Sequence, residues 1–483
     1  MDVAEKQVAG RFAPGQSLQN AGGAGEFIIP SGVVMTNFGA RWFPYVGYIP
    51  DIGVDKDNRF EPRQYPDDWY VGTTPASFGS QLPTTVRTRI TVPRDFTANG
   101  VGELIADSVR GDVRTVTWQT EEPVMAFNII AGRYAVKRGA GTALFYHPAH
   151  HYNVDEMLSA MDGARRWYSE WFGAYPWKTL KITEFPALST YAQGFPTNIS
   201  FSEDVGFLTK SEPRTQLAYM VSAHEIAHQW WANMLQPGRG PGANLLSEGM
   251  AHFSTMLLIE QEKGARAALE IRQRFETRWE EGRRADAERT LYRIDGSKDG
   301  DGVVTYEKAG WTFWMLAERM GRANALRGMK EFIAKFRGTE DHAALEDLTA
   351  HLRGYASDTA AYDDFVRQWF DSVSTLEYKV QRATTRRIAT DGEWETEAVV
   401  KNTGTARMPL DIGVVKGERY PADSTKKAAT PYAQALTRVT IGGGETRTVK
   451  VRSSFGPEKV VVDPDVRVLM LRRKLAERKV DKG

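Results

Sequence analysis

The chain has 483 residues, a length that predicts about three domains at roughly 100–200 residues per domain. Lys and Arg number 62 against 61 Asp and Glu, and this balance argues against a protein that binds nucleic acid or an anionic membrane through a basic surface. The absence of cysteine excludes disulfides, thiolate metal ligands and a thiol nucleophile, so any metal site must use His, Asp or Glu.

Residues 1–27 are expected to form a flexible leader. They are rich in Gly, Ala and Gln and lack the apolar core of a signal peptide, and a piece cut from a larger protein would begin in the same way. Because no run of about 18 apolar residues occurs in the sequence, we expect no membrane span. The compartment stays open between the cytoplasm and the periplasm, since proteins of both can lack cysteine.

Strand patterns dominate residues 28–150, which we expect to form a β-rich N-terminal domain. Residues 86–92 and 114–118 alternate apolar and polar side chains and are rich in β-branched residues, as half-buried strands are. Asn99-Gly100 is typical of a turn between two such runs.

Helical spacing takes over in residues 151–374. A helix is predicted over residues 154–176, and a short strand follows at Leu180–Phe185. The apolar residues that recur at helical spacing in the first of these segments are Met157, Ala160, Met161, Ala164 and Trp167.

Two further helices are predicted over residues 214–235 and 246–263. The Gly- and Pro-rich residues 237–244 break the pattern between them, and Gly264 suits the C-terminal end of the second helix. Two helices joined by such a loop can pack antiparallel, which would bring the start of the second helix close to the end of the first.

Strand periodicity returns beyond residue 374. Residues 393–400 and 445–451 alternate apolar and polar side chains, so we expect residues 375–470 to form an Ig-like β-sandwich. The charged residues 471–483 are expected to fray as a tail.

The chemistry of the chain concentrates in residues 224–228, His-Glu-Ile-Ala-His. Side chains four residues apart lie on one face of a helix, so His224 and His228 can bind one Zn²⁺ ion through neutral imidazoles. Glu225 lies at the edge of that face, where it can act as the general base on the hydrolytic water without binding the metal.

A catalytic zinc site needs three protein ligands and one open position. Glu248, near the start of the next predicted helix, is expected to supply the third ligand. His252 follows one helical turn later and is a competing candidate, although a histidine with structural or solvent contacts is the more common interpretation.

These residues resemble the gluzincin zinc aminopeptidase family, of the aminopeptidase N and leukotriene-A4 hydrolase type. The family pattern is HExxH followed by a distant Glu in an Asn-Glu-Gly context. This chain has Ser247-Glu248-Gly249, with one residue more in the intervening loop. The resemblance covers roughly residues 123–470 and is carried also by residues 123–136, 171–186 and 365–380.

The resemblance implies an α+β multidomain fold, with a β-rich N-terminal domain, a thermolysin-like and mainly helical catalytic domain, and the C-terminal sandwich. It also implies a catalytic role for Tyr306, which begins a Tyr-Glu-Lys-Ala-Gly segment similar to the family's Tyr-Glu-Lys-Gly. The hydroxyl of that tyrosine stabilises the oxyanion of the reaction. The alternative is a tyrosine that packs on the core at the start of a helix.

One family motif is altered. The family binds the substrate's amino group with Glu in a Gly-Ala-Met-Glu-Asn strand, and the matching residues 191–199 place Thr197 at the Glu position. A substrate could still bind here in extended form, as an added strand. The residues of this stretch expected to contact it are Gln193, Gly194, Phe195 and Thr197. Glu203 or Asp204 could replace the missing carboxylate, unless both are surface charges.

Three functions follow from these patterns. The first is zinc-dependent hydrolysis of peptide bonds in peptide or protein substrates by an aminopeptidase. The second, suggested by Thr197, is an endopeptidase or a peptidase with non-standard recognition of N-termini. The third is a catalytically retired, peptidase-like binding domain of a larger membrane assembly, against which the complete set of predicted zinc ligands argues.

Overall fold

The computed structural model describes residues 26–36, 83–212, 216–388, 392–420 and 430–482. The predicted leader lies almost wholly outside these residues, as does the part of the predicted N-terminal domain between residues 37 and 82. The chain divides into two compact units, of which the first comprises Met1–Glu262 with Arg322–Ala356 and the second Lys263–Gly321 with Ser357–Gly483. This division passes through residues 151–374, and the predicted domain limits stay predictions.

The described strands in chain order are β1 (Phe27–Ile29), β2 (Gly32–Thr36), β3 (Arg87–Pro93), β4 (Thr97–Gly100), β5 (Glu103–Arg110), β6 (Val113–Gln119), β7 (Asn128–Gly132), β8 (Ala135–Arg138), β9 (Thr142–Tyr146), β10 (Leu180–Phe185), β11 (Ala192–Gln193), β12 (Asn198–Ser202), β13 (Tyr378–Arg387), β14 (Trp394–Asn402), β15 (Pro409–Lys416), β16 (Ala433–Thr440), β17 (Thr446–Ser453), β18 (Lys459–Val462), β19 (Glu477–Lys479) and β20 (Asp481–Lys482). The described α-helices are α1 (Val154–Phe172), α2 (Glu203–Gly206), α3 (Leu217–Ala227), α4 (Met250–Gly282), α5 (Asp301–Val303), α6 (Ala309–Met320), α7 (Arg322–Phe336), α8 (Leu345–Arg353) and α9 (Thr359–Trp369). Turns of π-helix occupy Leu245–Gly249 and Val304–Lys308, and turns of 3₁₀-helix occupy Leu291–Arg293 and Arg473–Ala476.

Two antiparallel sheets build the N-terminal part of the first unit. One has the strand order β1-β2-β7-β4 and the other the order β3-β6-β5. The two strands predicted in this region are β3 and β6, which pair with each other. A core cluster in this region consists of Val92, Phe96, Ala98, Val116, Trp118 and Ala131. The β-rich N-terminal region is therefore confirmed.

Asn99-Gly100, predicted as a turn, lies in β4 instead. Asn99 is fully buried, and its Nδ2 donates a hydrogen bond to Thr183 Oγ1 at 3.0 Å. A Cβ atom at Gly100 would lie 3.0 Å from Thr88 Oγ1, so glycine allows β4 to pack closely. The prediction was wrong because a partner distant in sequence compensates the buried amide.

A five-stranded sheet of order β11-β12-β10-β9-β8 follows in the first unit. The strands β9, β10 and β12 run parallel, and β8 and β11 pair antiparallel at the two edges. Every residue of β10 and β12 is buried, as expected of parallel strands covered on both faces. The carboxyl ends of three neighbouring strands therefore meet at one edge of this sheet.

The predicted helix of residues 154–176 is α1, which ends at Gly173 with φ 112°. Four of its five predicted apolar positions are fully buried, whereas Trp167 is only half-buried. The hydrophobic period thus identified the helix and part of its inward face, to which Val154, Tyr168 and Phe172 also belong.

The helix predicted over residues 214–235 corresponds to α3, which ends earlier, at Ala227. Beyond it the Asn233 N–H bonds to His228 O, a longer step than an α-helix makes, and Ala232 has φ 150°. The predicted helix of residues 246–263 begins as a π-helical turn and continues as α4. Gly264 interrupts α4 with φ 79° and ψ −174°, so the predicted break at this glycine is confirmed.

Two four-stranded sheets of orders β17-β14-β13-β20 and β16-β15-β18-β19 make up most of the C-terminal part of the second unit. The strands predicted over residues 393–400 and 445–451 are β14 and β17, which pair antiparallel. Alternate residues of β14 are buried, among them Thr396, Ala398 and Val400. Helices α5, α6 and α9 lie in the same unit.

The predicted fraying of residues 471–483 is wrong for the described part of this segment. Strand β19 pairs with β18, and β20 pairs in parallel with β13. Ala476, which directly precedes β19, is 1% exposed. The charged segment is ordered because unpaired backbone groups at the sheet edges accept it as additional strands. In the described parts of the chain no helix combines the length and the apolar character needed to cross a membrane.

Lys181 is a buried amine in β10. Its Nζ donates a hydrogen bond to Gly102 O at 3.0 Å and lies 4.3 Å from the centre of the Trp118 ring. Burial lowers the pKa of Lys181 from 10.5 to about 7, although the charge of Glu121 opposes the shift. Lys181 therefore lowers the stability of the folded protein at a pH where its amine must be charged in the folded state.

We predict that Lys181→Met flattens the pH dependence of stability between about pH 7 and pH 10.5. In that window the unfolded chain binds more protons at this lysine than the folded chain, so the wild type gains stability as the pH rises. Below about pH 7 both states are protonated and the cost is fully present. Urea unfolding of both proteins across the window measures the effect, and parallel stability profiles would contradict it.

Candidate metal centre

Two segments of the first unit bring the predicted ligands together. His224 and Glu225 lie in the last turn of α3, and His228 is the residue that follows its end. The helix is apolar and largely buried, which also buries these three side chains. Glu248 lies in the π-helical turn Leu245–Gly249, directly before α4.

His224, His228 and Glu248 converge on one point. His224 Nε2 lies 3.0 Å and His228 Nε2 lies 3.3 Å from the same carboxylate oxygen of Glu248. The three donor atoms all lie within 4.8 Å of one another. The structure therefore brings together the three residues that the sequence predicts as metal ligands.

The contacts behind the imidazoles suit a metal at this point. His228 Nδ1 lies 3.1 Å from Trp231 O, and because a carbonyl oxygen only accepts, Nδ1 carries the proton and Nε2 of the neutral ring keeps its lone pair. Two imidazoles and one carboxylate, with no fourth donor among the described residues of the cluster, match a zinc site that keeps a position open.

Burial and neighbouring charges shift the pKa values of the two glutamates in the cluster in opposite directions. Burial disfavours the charged form of Glu248, but His228 and His224 outweigh it and hold the pKa of Glu248 well below its ordinary value. Burial raises the pKa of Glu225 against the opposing effect of the same histidines. For His228, burial favours the neutral form, yet Glu248 raises the pKa to about 9. A divalent cation would displace the protons held here.

His252 does not join the ligand set. Its Nδ1 lies 3.0 Å from Nδ1 of His224, whereas His224 presents Nε2 to Glu248. His252 therefore contacts the side of the His224 ring that faces away from Glu248. In this position it can fix the orientation and tautomer of the imidazole, as second partners of metal-binding histidines do.

Gly194 lies against the helix that carries the histidines. A Cβ atom at this position would lie 2.6 Å from Glu225 O and 2.7 Å from His228 Cβ, so no larger residue fits without a shift. The Gly194 N–H also donates a hydrogen bond to the Glu225 carboxylate. The predicted substrate contact Gly194 thus positions the general-base candidate.

Thr197, predicted to contact substrate, lies in the protein interior, and that prediction is wrong. It is 0% exposed, and its backbone adopts φ 60°. Its Oγ1 accepts a hydrogen bond from the Gly102 N–H at 2.6 Å, and its N–H donates to Gln229 Oε1 at 2.9 Å. The hydroxyl is occupied by the fold, so it cannot reach a bound peptide.

Phe195 and Gln193, the other two residues predicted to contact substrate, differ in their exposure to solvent. Phe195 is 1% exposed and belongs to the core, which contradicts its predicted contact with substrate. Gln193 is half-buried in β11, an edge strand of the five-stranded sheet. Of the four predicted residues, Gln193 therefore keeps the most accessible side chain.

Glu203 and Asp204, the candidates for a substitute anchor, are engaged locally. Glu203 Oε1 accepts from the Ala187 N–H at 3.0 Å. Asp204 accepts from the hydroxyls of Ser202 and Thr190, both at 2.5 Å. These contacts favour the interpretation that both carboxylates serve the local fold.

Two residues of this site were missed by the sequence analysis. Gln229 Nε2 donates to Phe195 O at 2.9 Å, and Asn233 Nδ2 donates to Gly194 O at 2.7 Å. Together with the bond from Thr197, they clamp residues 194–197 to the segment that follows the HExxH motif. Their only sequence signal is that they are amide side chains within five residues after His228.

Tyr306 lies in the second unit, in the π-helical turn Val304–Lys308, and is 36% exposed. Its neighbours are anchored inward, since Glu307 pairs with Arg278 at 2.6 Å and Lys308 pairs with Glu288 at 2.5 Å. The turn thus fixes the backbone on either side of an exposed tyrosine.

Comparison with known proteins agrees with the fold and the donor set, which define an HExxH-type metal centre. Residues 158–369 match the Peptidase family M1 domain. The crystal structure of Legionella pneumophila aminopeptidase A in complex with aspartic acid is 17% identical, and the match covers 80% of this chain and 44% of that chain with a TM-score of 0.53. A comparison with curated proteins gave no significant match.

The crystal structure of an M1 zinc metallopeptidase from Deinococcus radiodurans is 20% identical, and the match covers 60% of this chain and 64% of that chain with a TM-score of 0.46. The chain thus spans less than two thirds of the length of either solved structure. The predicted resemblance to the family is confirmed by the match of residues 158–369 to the Peptidase family M1 domain.

We predict that His252→Ala lowers the affinity for zinc by about 10–100-fold, because His224 loses the group that orients its ring. Competition with a chelator measures the affinity. His351→Ala is the matched control, since His351 Nε2 contacts Gly328 O at 3.0 Å in the same unit, apart from the ligands. Equal zinc affinity in wild type and His252→Ala would rule out this role.

Proposed function

We propose that the protein hydrolyses peptide bonds in a zinc-dependent reaction and acts as an aminopeptidase that releases N-terminal residues. The observation that carries the proposal is the convergence of His224 Nε2 and His228 Nε2 on one oxygen of Glu248, beside the buried Glu225. The M1 domain match and the fold shared with an aminopeptidase support it.

His224, His228 and Glu248 would hold the metal. A bound zinc ion supplies Lewis-acid chemistry, which polarises a carbonyl and lowers the pKa of water. Glu225 accepts the proton of the attacking water at its carboxylate and later delivers it to the leaving amine. A hydrogen bond from the Gly194 backbone to that carboxylate opposes the rise in its pKa that burial causes.

We predict that Glu225→Gln keeps the metal and loses nearly all turnover, because an amide cannot accept the proton. Zinc content by elemental analysis and peptide hydrolysis give the two readouts. Glu156→Gln is a matched control. The Glu156 carboxylate accepts a hydrogen bond at 3.2 Å from the Tyr219 N–H, in the first turn of α3, the helix that carries Glu225. Full activity in Glu225→Gln would overturn the mechanism.

We assign oxyanion stabilisation to the hydroxyl of Tyr306. The exposed ring on an anchored turn and the likeness of residues 306–310 to the family motif support this role. Removal of one preorganised donor typically lowers kcat by about 10²–10³-fold.

Tyr306→Phe is accordingly predicted to lower kcat by about 10²–10³-fold with unchanged zinc content. Steady-state kinetics with a free peptide measures the change. Tyr432→Phe removes another hydroxyl of the second unit, one that donates to Gln434 Oε1 at 2.6 Å, and should leave kcat unchanged. A wild-type kcat in Tyr306→Phe would remove the tyrosine from the mechanism.

A second candidate function is endopeptidase activity or non-standard recognition of N-termini. The observation that favours it is the burial of Thr197 at the position where the family has its anchoring Glu, together with the local engagement of Glu203 and Asp204. An extended peptide could still pair with the edge strand β11 beside Gln193.

Peptides of one sequence with free and with acetylated N-termini separate the two candidates. The aminopeptidase proposal predicts that acetylation abolishes cleavage and that products shorten one residue at a time from the N-terminus. Mass spectrometry of the products shows both. Equal cleavage of the acetylated peptide at internal bonds would replace the first proposal by the second.

We further propose that the two C-terminal sheets form an Ig-like sandwich, with domain limits near residues 150 and 374. Support comes from the residues that both sheets bury. In one sheet these include Val449 and Val451, and in the other Ile412, Val414, Val460 and Val462.

A further inference from the structure

A second cluster of donors lies in the first unit, at the carboxyl edge of its five-stranded sheet. His150 follows β9, Glu184 is the last residue but one of β10, and Glu203 directly follows β12. The ligand atoms of these three residues lie within 4.8 Å of one another, as do those of the catalytic candidates. Three neighbouring parallel strands thus deliver one donor each.

Backbone amides orient both carboxylates of this cluster. Glu184 Oε2 accepts from the His147 N–H at 2.7 Å, and Glu184 Oε1 contacts His150 Nδ1. Glu203 Oε1 accepts from the Ala187 N–H, and Glu203 Oε2 lies 3.7 Å from the same His150 Nδ1. Each carboxylate therefore has one oxygen fixed by the backbone and the other turned towards a common point.

The cluster is short of positive charge. The Glu184 side chain is only 3% exposed, and among the described residues no Lys or Arg pairs with Glu184 or Glu203. A single imidazole can balance at most one of the two carboxylates, whereas a divalent cation could balance both.

We propose that His150 Nδ1, Glu184 and Glu203 bind a divalent cation, in a second metal site that shares no residue with the His224, His228 and Glu248 centre. One nitrogen and two oxygen donors suit Zn²⁺, and two ligands of one zinc ion lie at most about 4 Å apart. The cation ties together the ends of β9, β10 and β12, so it stabilises the sheet edge. The simpler alternative is a hydrogen-bonded cluster of His150 with the two Glu side chains that holds no cation.

Zinc stoichiometry tests the proposal. The full chain is stripped with a chelator, reloaded with Zn²⁺, freed of excess by gel filtration and analysed for zinc per chain. The wild type and His151→Ala should hold about two zinc ions, and His150→Ala about one. His151 is the matched control because it is the exposed neighbour of His150 outside the cluster.

The site is also measurable without the catalytic centre. His228→Ala should retain about one zinc ion and a zinc-dependent rise in Tm, and His228→Ala combined with His150→Ala should lose both. Failure of the peptidase proposals therefore leaves this result unaffected. Glu203→Gln, at a partly exposed ligand, repeats the test if His150→Ala does not fold. Unchanged zinc stoichiometry in both ligand variants, or a His228→Ala variant that retains no zinc, would overturn the proposal.

Discussion

The largely buried carboxylate of Glu248 is the constraint on which the metal centre depends. A buried charge is costly unless a partner compensates it, and here two imidazole nitrogens at 3.0 and 3.3 Å do so. The end of α3 and the turn before α4 must therefore stay together. The irregular backbone between them, with a π-helical turn and a positive φ at Ala232, follows from this requirement.

A second constraint fixes the connection between β11 and β12 beside the centre. Backbone groups of residues 194–197 bond to Gln229 and Asn233, so this connection is hydrogen-bonded to the segment that follows α3. Gly194 is required because the two backbones approach too closely for a Cβ atom. Among the described strands β11 is an edge strand of its sheet, and a peptide substrate, as proposed, would pair beside it.

The sequence predicted the parts of the site that depend on local periodicity. The spacing of His224 and His228 follows from the helical repeat, and strands such as β14 follow from strict alternation. It could not predict what depends on distant partners. Asn99 was predicted as a turn residue, whereas in the structure it pairs with Thr183. His252 was named as a competing candidate ligand, and its contact with the far side of His224 favours the structural interpretation. The C-terminal segment was misjudged for the same reason, because its order comes from the sheets it extends.

Thr197 shows how a recognition position can become part of the fold. A β-branched residue at φ 60° is unfavourable, and here its N–H, its carbonyl and its hydroxyl are all hydrogen-bonded, which holds it there. A glutamate at this place would need to turn its longer, charged side chain out of a fully buried pocket. The proposed selection of N-termini would therefore depend on groups other than Thr197, whereas the three residues of the proposed metal centre do not include it.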